Sequence, residues 1–156
     1  MPKVTEQAVF LLSSSKHGLR YLTANDWALI TDKAGRISFR KGEVLVERGK
    51  LTDGVFLLLQ GRARVQFPSP SPSQVISRTI GTGEVCGEMS FLDELPASAS
   101  VVAEETVEAY HLNRATLQSL FELFPHLASR FYRSLAANLS RRLRDLIEAG
   151  PISLKD

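Results

Sequence analysis

The residues best suited to binding chemistry lie in one segment, residues 83–103, which reads GEVCGEMSFLDELPASASVVA. A short strand bounded by glycines leads into Gly87 and Glu88, one helical turn follows, and then come Pro96 and a run of small residues. Backbone N–H groups at the start of a helical turn attract anions, and a carboxylate accepts hydrogen bonds from hydroxyl groups. The segment therefore predicts a pocket for a small anion that carries a hydroxylated ring.

Other chemistries have little support in the sequence. The three histidines, His17, His111 and His126, are far apart along the chain, which argues against a metal site. Neither a Gly-Lys-Ser/Thr phosphate loop nor a Gly-x-Ser-x-Gly nucleophile elbow occurs. Cys86 is interpreted as a small core residue rather than a nucleophile. We therefore expect no metal, no cofactor and no enzymatic activity.

The composition is that of one globular domain. The chain has 156 residues, of which 44% are hydrophobic and 23% charged, and its formal net charge is +2. Such a small charge gives no indication of a nucleic-acid partner. The sequence contains a single cysteine, no apolar run long enough to cross a bilayer and no signal-peptide pattern. These features predict a cytoplasmic protein with no membrane partner.

Short strands separated by glycine turns fill the middle of the sequence. The predicted strands cover residues 36–40, 44–46, 55–59, 62–67, 74–80, 99–103 and 107–112. Residues 68–73, rich in proline and serine, are expected to form an exposed loop, because proline cannot donate to a sheet. Many short strands at regular spacing predict a barrel, roll or sandwich.

Helices are predicted on both sides of these strands. Residues 1–22 form an N-terminal helical segment, and another helix begins near Trp27, with Thr23 or Asn25 as its N-cap. Trp27 is interpreted as a packing anchor.

Two more helices follow the strands. The first lies around residues 116–121, and the second begins at Pro125 and ends near residue 149. In the long helix an apolar residue recurs at every fourth position: Leu127, Phe131, Leu135, Leu139 and Leu143. This spacing predicts one apolar face along the helix.

Over roughly residues 22–147 the sequence resembles the cyclic nucleotide-binding domain family. The resemblance rests on FRKGE at residues 39–43, Gly49 with Asp53, FLLLQG at residues 56–61 with Val65, GEMSFL at residues 87–92 before Pro96, and ASV at residues 99–101. It implies a mainly β fold, an antiparallel β-roll of the jelly-roll or double-stranded β-helix type, with N-terminal helices and a long C-terminal helix. The expected domain is residues 23–156, with the roll at 35–113 and the C-terminal helices at 114–149.

The resemblance also implies roles for the residues at the start of the helical turn. Gly87 lets the backbone approach the ligand, and Glu88 accepts a hydrogen bond from the ribose 2′-hydroxyl. The backbone N–H of Ser90 points at the cyclic phosphate, and Met89 lies between these two contacts. The alternative interpretation of Glu88 is a cap for its own loop.

At residue 97 the sequence departs from the family pattern. The family usually has an arginine after the proline, and its guanidinium pairs with the cyclic phosphate, whereas Ala97 follows Pro96 here. Losing a charge-assisted contact of this kind weakens binding by about one to two orders of magnitude. Ser98 stands where members that prefer cGMP have a threonine. Its hydroxyl either contacts the phosphate or a guanine amino group, or Ser98 is simply a small residue that fits.

Arg78 is a candidate substitute for the missing arginine. Strand alternation places Arg78 on the same inward face as Ile76 and Ile80. Arg78 then either reaches the ligand, pairs with Glu88 so that the pocket is satisfied and empty, or lies at a strand end and extends to water.

The resemblance implies a sensor domain that binds cAMP or cGMP and couples occupancy to movement of its C-terminal helix. The apolar face of that helix is also the expected surface for a homodimer or a protein partner. The alternative is a degenerate roll that binds no nucleotide and acts as a protein-interaction module.

DNA is not an expected partner. Bacterial transcription factors with this sensor carry a helix-turn-helix after the long helix, and this sequence stops at Asp156, shortly beyond that helix. The arginines of the long helix are interpreted as a solvated face, or as one that pairs with an acidic partner: Arg130, Arg133, Arg141, Arg142 and Arg144.

Overall fold

The computed structural model of the chain describes residue 12, residues 17–68 and residues 76–149. The strands in this part are β1 (Gly35–Phe39), β2 (Val44–Val46), β3 (Val55–Gln60), β4 (Ala63–Phe67), β5 (Ile76–Ile80), β6 (Val85–Cys86), β7 (Ser100–Ala103) and β8 (Val107–Leu112). The helices are α1 (Ala24–Lys33), α2 (Glu88–Asp93), α3 (Arg114–Leu123) and α4 (Pro125–Glu148).

The strands form two antiparallel sheets of four strands each, with the orders β1-β8-β3-β6 and β2-β7-β4-β5. Alternate residues of both sheets face each other and build the inner core, to which Leu58, Val65, Val101 and Ala109 belong. The predicted mainly β fold with flanking helices and a long C-terminal helix is therefore confirmed.

A second core joins the outer face of the first sheet to the helices. Trp27 of α1, Leu57 of β3, Leu117 of α3 and Phe131 of α4 are fully buried in it. Burying one side chain of this size stabilises the fold by about 1.5–3 kcal/mol. The interpretation of Trp27 as a packing anchor is confirmed, and the helices are fixed on one side of the roll.

Helix α1 begins with a reciprocal capping box. The hydroxyl of Thr23 accepts from the N–H of Asp26 at 3.1 Å, and the carboxylate of Asp26 accepts from the N–H of Thr23 at 3.0 Å. Of the two N-cap candidates, Thr23 and Asn25, the cap is Thr23.

The long helix α4 has the predicted first residue, Pro125, but its apolar face is divided. Leu127, Phe131 and Leu135 are fully buried, whereas Leu143 is 58% exposed. Helix α4 thus extends past the core, and its last turns meet the pocket described below rather than another helix. Three polar contacts hold the buried part: the Asp26–Arg130 ion pair, the N–H of Tyr21 donating to Ser134 Oγ, and Asn138 donating to the carbonyls of His17 and Gly18.

Most predicted elements lie where expected, with bounds shifted by one or two residues. Helix α3 is longer than residues 116–121, because Asn113 accepts from the N–H of Thr116 and caps the helix earlier. The proposed helical segment at residues 1–22, apart from residues 12 and 17–22, lies outside the described residues, as do residues 69–75 of the predicted loop and strand.

Candidate functional site

A cavity of about 570 Å³ lies between the roll and the C-terminal part of α4. This volume is within the range of roughly 300–1,000 Å³ that small-molecule sites occupy. Four charged residues contribute to its wall, namely Arg78, Glu88, Arg142 and Asp145. The remaining wall is mainly apolar and includes Val46, Val65, Val85, Val101, Leu139, Leu143 and Leu146. All seven predicted site residues line this cavity: Arg78, Gly87, Glu88, Met89, Ser90, Ala97 and Ser98.

The entry from β6 into α2 depends on a glycine. Gly87 has φ +83°, a left-handed conformation that L side chains rarely adopt, and it is the N-cap of α2. A Cβ atom at this position would lie 3.3 Å from the carbonyl oxygen of Gly54. The carbonyl of Gly87 accepts from Thr52 Oγ1 at 3.3 Å. The chain can therefore turn directly into Glu88 at the cavity wall.

Glu88 is held by an arginine from the C-terminal helix. The carboxylate is buried, and its Oε1 accepts a charge-assisted hydrogen bond from Nη1 of Arg142. The sequence suggests that Glu88 caps its own loop or pairs with Arg78. In the structure its partner is Arg142 instead. Nε and Nη2 of Arg142 are also buried, and neither has a hydrogen-bond partner within the described part of the chain.

Arg142 was not identified as a site residue from the sequence, where it belonged to a basic face interpreted as solvated or as pairing with an acidic partner. A signal was nevertheless present. Leu139, Arg142 and Leu146 follow one another at spacings of three and four, so they share one helix face. The structure turns that face toward the cavity.

Arg78 lies in the cavity wall, as strand alternation predicts. It is opposite Val65 in the β4–β5 register and 3.8 Å from the carboxylate of Glu84. Burial lowers the pKa of Arg78 below its usual value, and the nearby positive charge of Arg142 lowers it further. Two arginine side chains therefore contribute positive charge to the same cavity, and Arg78 has Glu84, not Glu88, as its acidic partner.

Ala97 contributes no polar group to the cavity. Its N–H donates to the carbonyl of Lys50, and its carbonyl accepts from the N–H of Gly49, both at 2.9 Å. Its backbone is therefore committed to a turn of the roll. Ser98 Oγ is exposed and 3.8 Å from the sulfur of Met89, a weak contact that leaves the hydroxyl accessible.

The helix α2 is also attached to the C-terminal helices. Arg114, the first residue of α3, donates to the carbonyls of Ser90 and Phe91 at 3.2 and 3.0 Å and lies over the Phe91 ring. Phe91 also contacts Phe131 and Tyr132 of α4, with ring centroids 5.9 and 6.1 Å away. These contacts join α2 to both α3 and α4.

Cys86, which lines the cavity, is unsuited to act as a nucleophile. Cys86 is buried, and burial raises the pKa of its thiol, so the nucleophilic thiolate is disfavoured. Across residues 17–68 and 76–149 no cluster of His, Cys, Asp and Glu side chains is arranged to hold a metal ion. Nor does the described part contain a helix with the length and hydropathy needed to cross a membrane.

Comparison with known proteins identifies related sequences. The family model described as "Cyclic nucleotide-binding domain" matches residues 36–123. The chain is 34% identical over 107 residues to the cyclic AMP receptor protein of Thermus thermophilus, covering 69% of this chain and 48% of that protein. It is 27% identical over 130 residues to cyclic GMP-binding protein C of Dictyostelium discoideum, covering 83% of this chain but 5% of that protein. The chain thus spans less than half the length of both relatives.

Solved structures agree with this fold. A cyclic nucleotide-binding domain from Methylobacillus flagellatus has a TM-score of 0.76 at 23% identity, covering 86% of this chain and 78% of that one. The catabolite activator protein of Thermus thermophilus has a TM-score of 0.64 at 28% identity, covering 94% of this chain and 58% of that one. Since the family model matches more than half of the residues, the chain belongs to the cyclic nucleotide-binding domain family.

Proposed function

We propose that the cavity binds a cyclic nucleotide, cAMP or cGMP, and that the domain is a cytoplasmic sensor without catalytic activity of its own. The observation that carries this proposal is Glu88, a buried carboxylate in the wall of a cavity of about 570 Å³. A carboxylate in such a place suits a ligand hydroxyl, and only one of its oxygens, Oε1, belongs to the ion pair with Arg142. The named ligands of the two relatives, cyclic AMP and cyclic GMP, support the same ligand class.

The resemblance to the family supports the proposed ligand position. The ribose lies at Gly87 and Glu88, and the cyclic phosphate lies near Ser90, Ala97 and Ser98. The apolar side chains of the wall then pack against the base, with Met89 at the edge of the site.

We further propose that occupancy is coupled to the C-terminal helix. The last turns of α4 form part of the cavity wall and contact residues 87–98, which we call the cassette, through the Arg142–Glu88 pair. The earlier turns are anchored in the core through Phe131 and Leu135. A ligand that fills the cavity would therefore change the position or the stability of the last turns and leave the first turns in place. The exposed apolar residues of these turns are the proposed surface for a homodimer or a protein partner.

Calorimetric titration with variants tests the pocket assignment. Glu88→Ala removes the hydroxyl acceptor and should weaken binding by about 10- to 100-fold, whereas Glu84→Ala, which alters the neighbouring carboxylate that pairs with Arg78, should change the affinity less. If Glu88→Ala bound both nucleotides as tightly as the wild type, the pocket assignment would be wrong.

The second candidate is a protein-interaction module that binds no nucleotide. Two observations favour it: Ala97 offers no polar group, and Glu88 already has a cation within the protein. Under this alternative neither cyclic nucleotide would produce binding heat in the titration.

A further inference from the structure

We propose that Arg142 binds the phosphate of the cyclic nucleotide and thereby replaces, from the C-terminal helix, the arginine that residue 97 lacks. This inference rests on the proposed function, because it assumes that a cyclic nucleotide occupies the cavity. It assigns a ligand contact to a residue outside the cassette.

The first support is the unmet hydrogen-bonding capacity of Arg142. A guanidinium has five N–H donors, and only Nη1 has an acceptor, Glu88, among the described residues. Buried donors without acceptors are unfavourable, so the fold retains Nε and Nη2 at a cost in stability. Nε and one Nη group form the planar fork that binds two oxygens of a phosphate.

The second support is the charge of the cavity. Arg78 and Arg142 line the same wall, and among the described residues the acidic partner of Arg78 is Glu84, at 3.8 Å. An anion between the two guanidinium groups would relieve their mutual repulsion. Of the two, Arg142 is the better phosphate ligand, because it contacts Glu88, the residue placed at the ribose, and the cyclic phosphate is fused to the ribose ring.

The third support is that the Glu88 carboxylate can accept hydrogen bonds from Arg142 and from the ribose hydroxyl at the same time. Arg142 donates to Oε1, which leaves Oε2 for the ribose hydroxyl, so the ligand need not break the ion pair. The guanidinium would then contact Glu88 on one side and the phosphate on the other. In this arrangement the ligand connects the roll to the last turns of α4, because the Arg142 side chain contacts both Glu88 and the phosphate.

The test is a titration of wild type, Arg142→Ala and Arg142→Lys with a cyclic nucleotide and with its 2′-deoxy analogue. The analogue keeps the phosphate but lacks the hydroxyl that Glu88 accepts. We expect Arg142→Ala to weaken binding of both ligands by about 10- to 100-fold, since a charge-assisted pair is lost. Arg142→Lys should lose less affinity, because lysine keeps the positive charge but lacks the two-pronged donor group of the guanidinium. Arg144→Ala, an exposed arginine on the same helix, is the matched control and should bind as the wild type does.

Three results would overturn the inference. If Arg142→Ala weakened the ribonucleotide but left the 2′-deoxy analogue unchanged, Arg142 would act only by positioning Glu88. If it lowered affinity for one of cAMP and cGMP but not the other, it would contact the base rather than the shared phosphate. Arg142→Ala also leaves the Glu88 carboxylate without a cation. The affinity of Glu88→Gln is therefore compared with that of the double variant Glu88→Gln/Arg142→Ala, since neither has a carboxylate at residue 88. If these two variants bound the nucleotide equally well, the phosphate contact would be rejected. Absence of binding by the wild type would instead reject the proposed function itself.

Discussion

The backbone at Gly87 determines where Glu88 lies. Its φ of +83° is accessible to glycine, and an added Cβ would meet the carbonyl oxygen of Gly54 at 3.3 Å. For an L residue the left-handed region costs about 1–2 kcal/mol. We therefore expect Gly87→Ala to lower the free energy of unfolding by about this amount and to weaken nucleotide binding, as measured by urea denaturation and titration.

Gly81 provides the matched control for this change. Gly81 lies shortly before β6, the short strand that ends just before Gly87. Its φ is not positive, and a Cβ atom added at this position would have no atom within 4 Å. Gly81→Ala should therefore change the unfolding free energy by less than about 0.5 kcal/mol. Equal effects of the two substitutions would show that the conformation of Gly87 is not the determining factor.

Residue 97 offers a gain-of-function test. An arginine at this position would enter the cavity where the phosphate is proposed to lie. Ala97→Arg should raise the affinity for the cyclic nucleotide by about 10- to 100-fold in the Arg142→Ala background, and by less in the wild type, where Arg142 already makes the contact. Ala97→Met, which adds a long uncharged side chain, is the control. If arginine and methionine at residue 97 had the same effect on affinity, the phosphate position would be wrong.

At the residue scale, local chemistry was predictable and the long-range pair was not. Gly87, Glu88 and Ser90 could be placed because their spacing is a property of ten residues or fewer. The Arg142–Glu88 contact joins residues 54 positions apart, and the helix face that Arg142 shares with Leu139 and Leu146 does not show which element it packs against. Packing of the helix against the roll decides which arginine reaches the cavity.

At the element scale, α4 combines an anchored part and a part that leaves the core. The Asp26–Arg130 ion pair holds the anchored part, with the Asp26 side chain 2% and the Arg130 side chain 36% exposed. Arg130→Met would leave a buried carboxylate without its cation. We expect it to lower the unfolding free energy at neutral pH, by less than the loss of a fully buried pair would, because the Arg130 side chain is 36% exposed and partly screened by water. Arg144→Met, on the exposed face of the same helix, should have little effect on stability.

The same ion pair gives a pH dependence. The hydrogen bond from Arg130 holds the pKa of Asp26 below its ordinary value of 3.8. The stability that Asp26 contributes is therefore present above pH 3.8 and is lost as the pH falls from there through the folded-state pKa. The difference between wild type and Arg130→Met should shrink when denaturation is repeated below this pH. A difference that stayed constant down to strongly acid pH would contradict the role given to the ion pair.

The elements themselves were largely predictable. Strand alternation and glycine turns located the strands, and Pro125 marked the start of α4, because these signals are local. The division of the apolar face of α4 was not predictable, since Leu135 and Leu143 occupy equivalent positions in the pattern. The roll extends beneath Leu135 but not beneath Leu143, so Leu135 is buried and Leu143 is 58% exposed.

At the scale of the whole molecule, the ligand is expected to stabilise only part of α4. Residues 139–149 lack fully buried side chains, so their amide hydrogens should exchange rapidly without ligand. Saturating cyclic nucleotide should slow the exchange of residues 139–149, because the ligand then contacts both the cassette and the helix. The exchange of residues 125–138 should change little. In Arg142→Ala the added protection of residues 139–149 should be lost. Uniform protection along α4 would contradict the division of the helix into an anchored and a responsive part.

The most direct measurement is calorimetric titration of the wild-type protein with cAMP and with cGMP, each up to millimolar concentration. The cavity, the buried Glu88 carboxylate and the two arginines predict saturable binding of at least one of them with a stoichiometry of one per chain. The absence of binding heat with both nucleotides at millimolar concentration would contradict the proposed function and favour a module that uses the same fold to bind another protein.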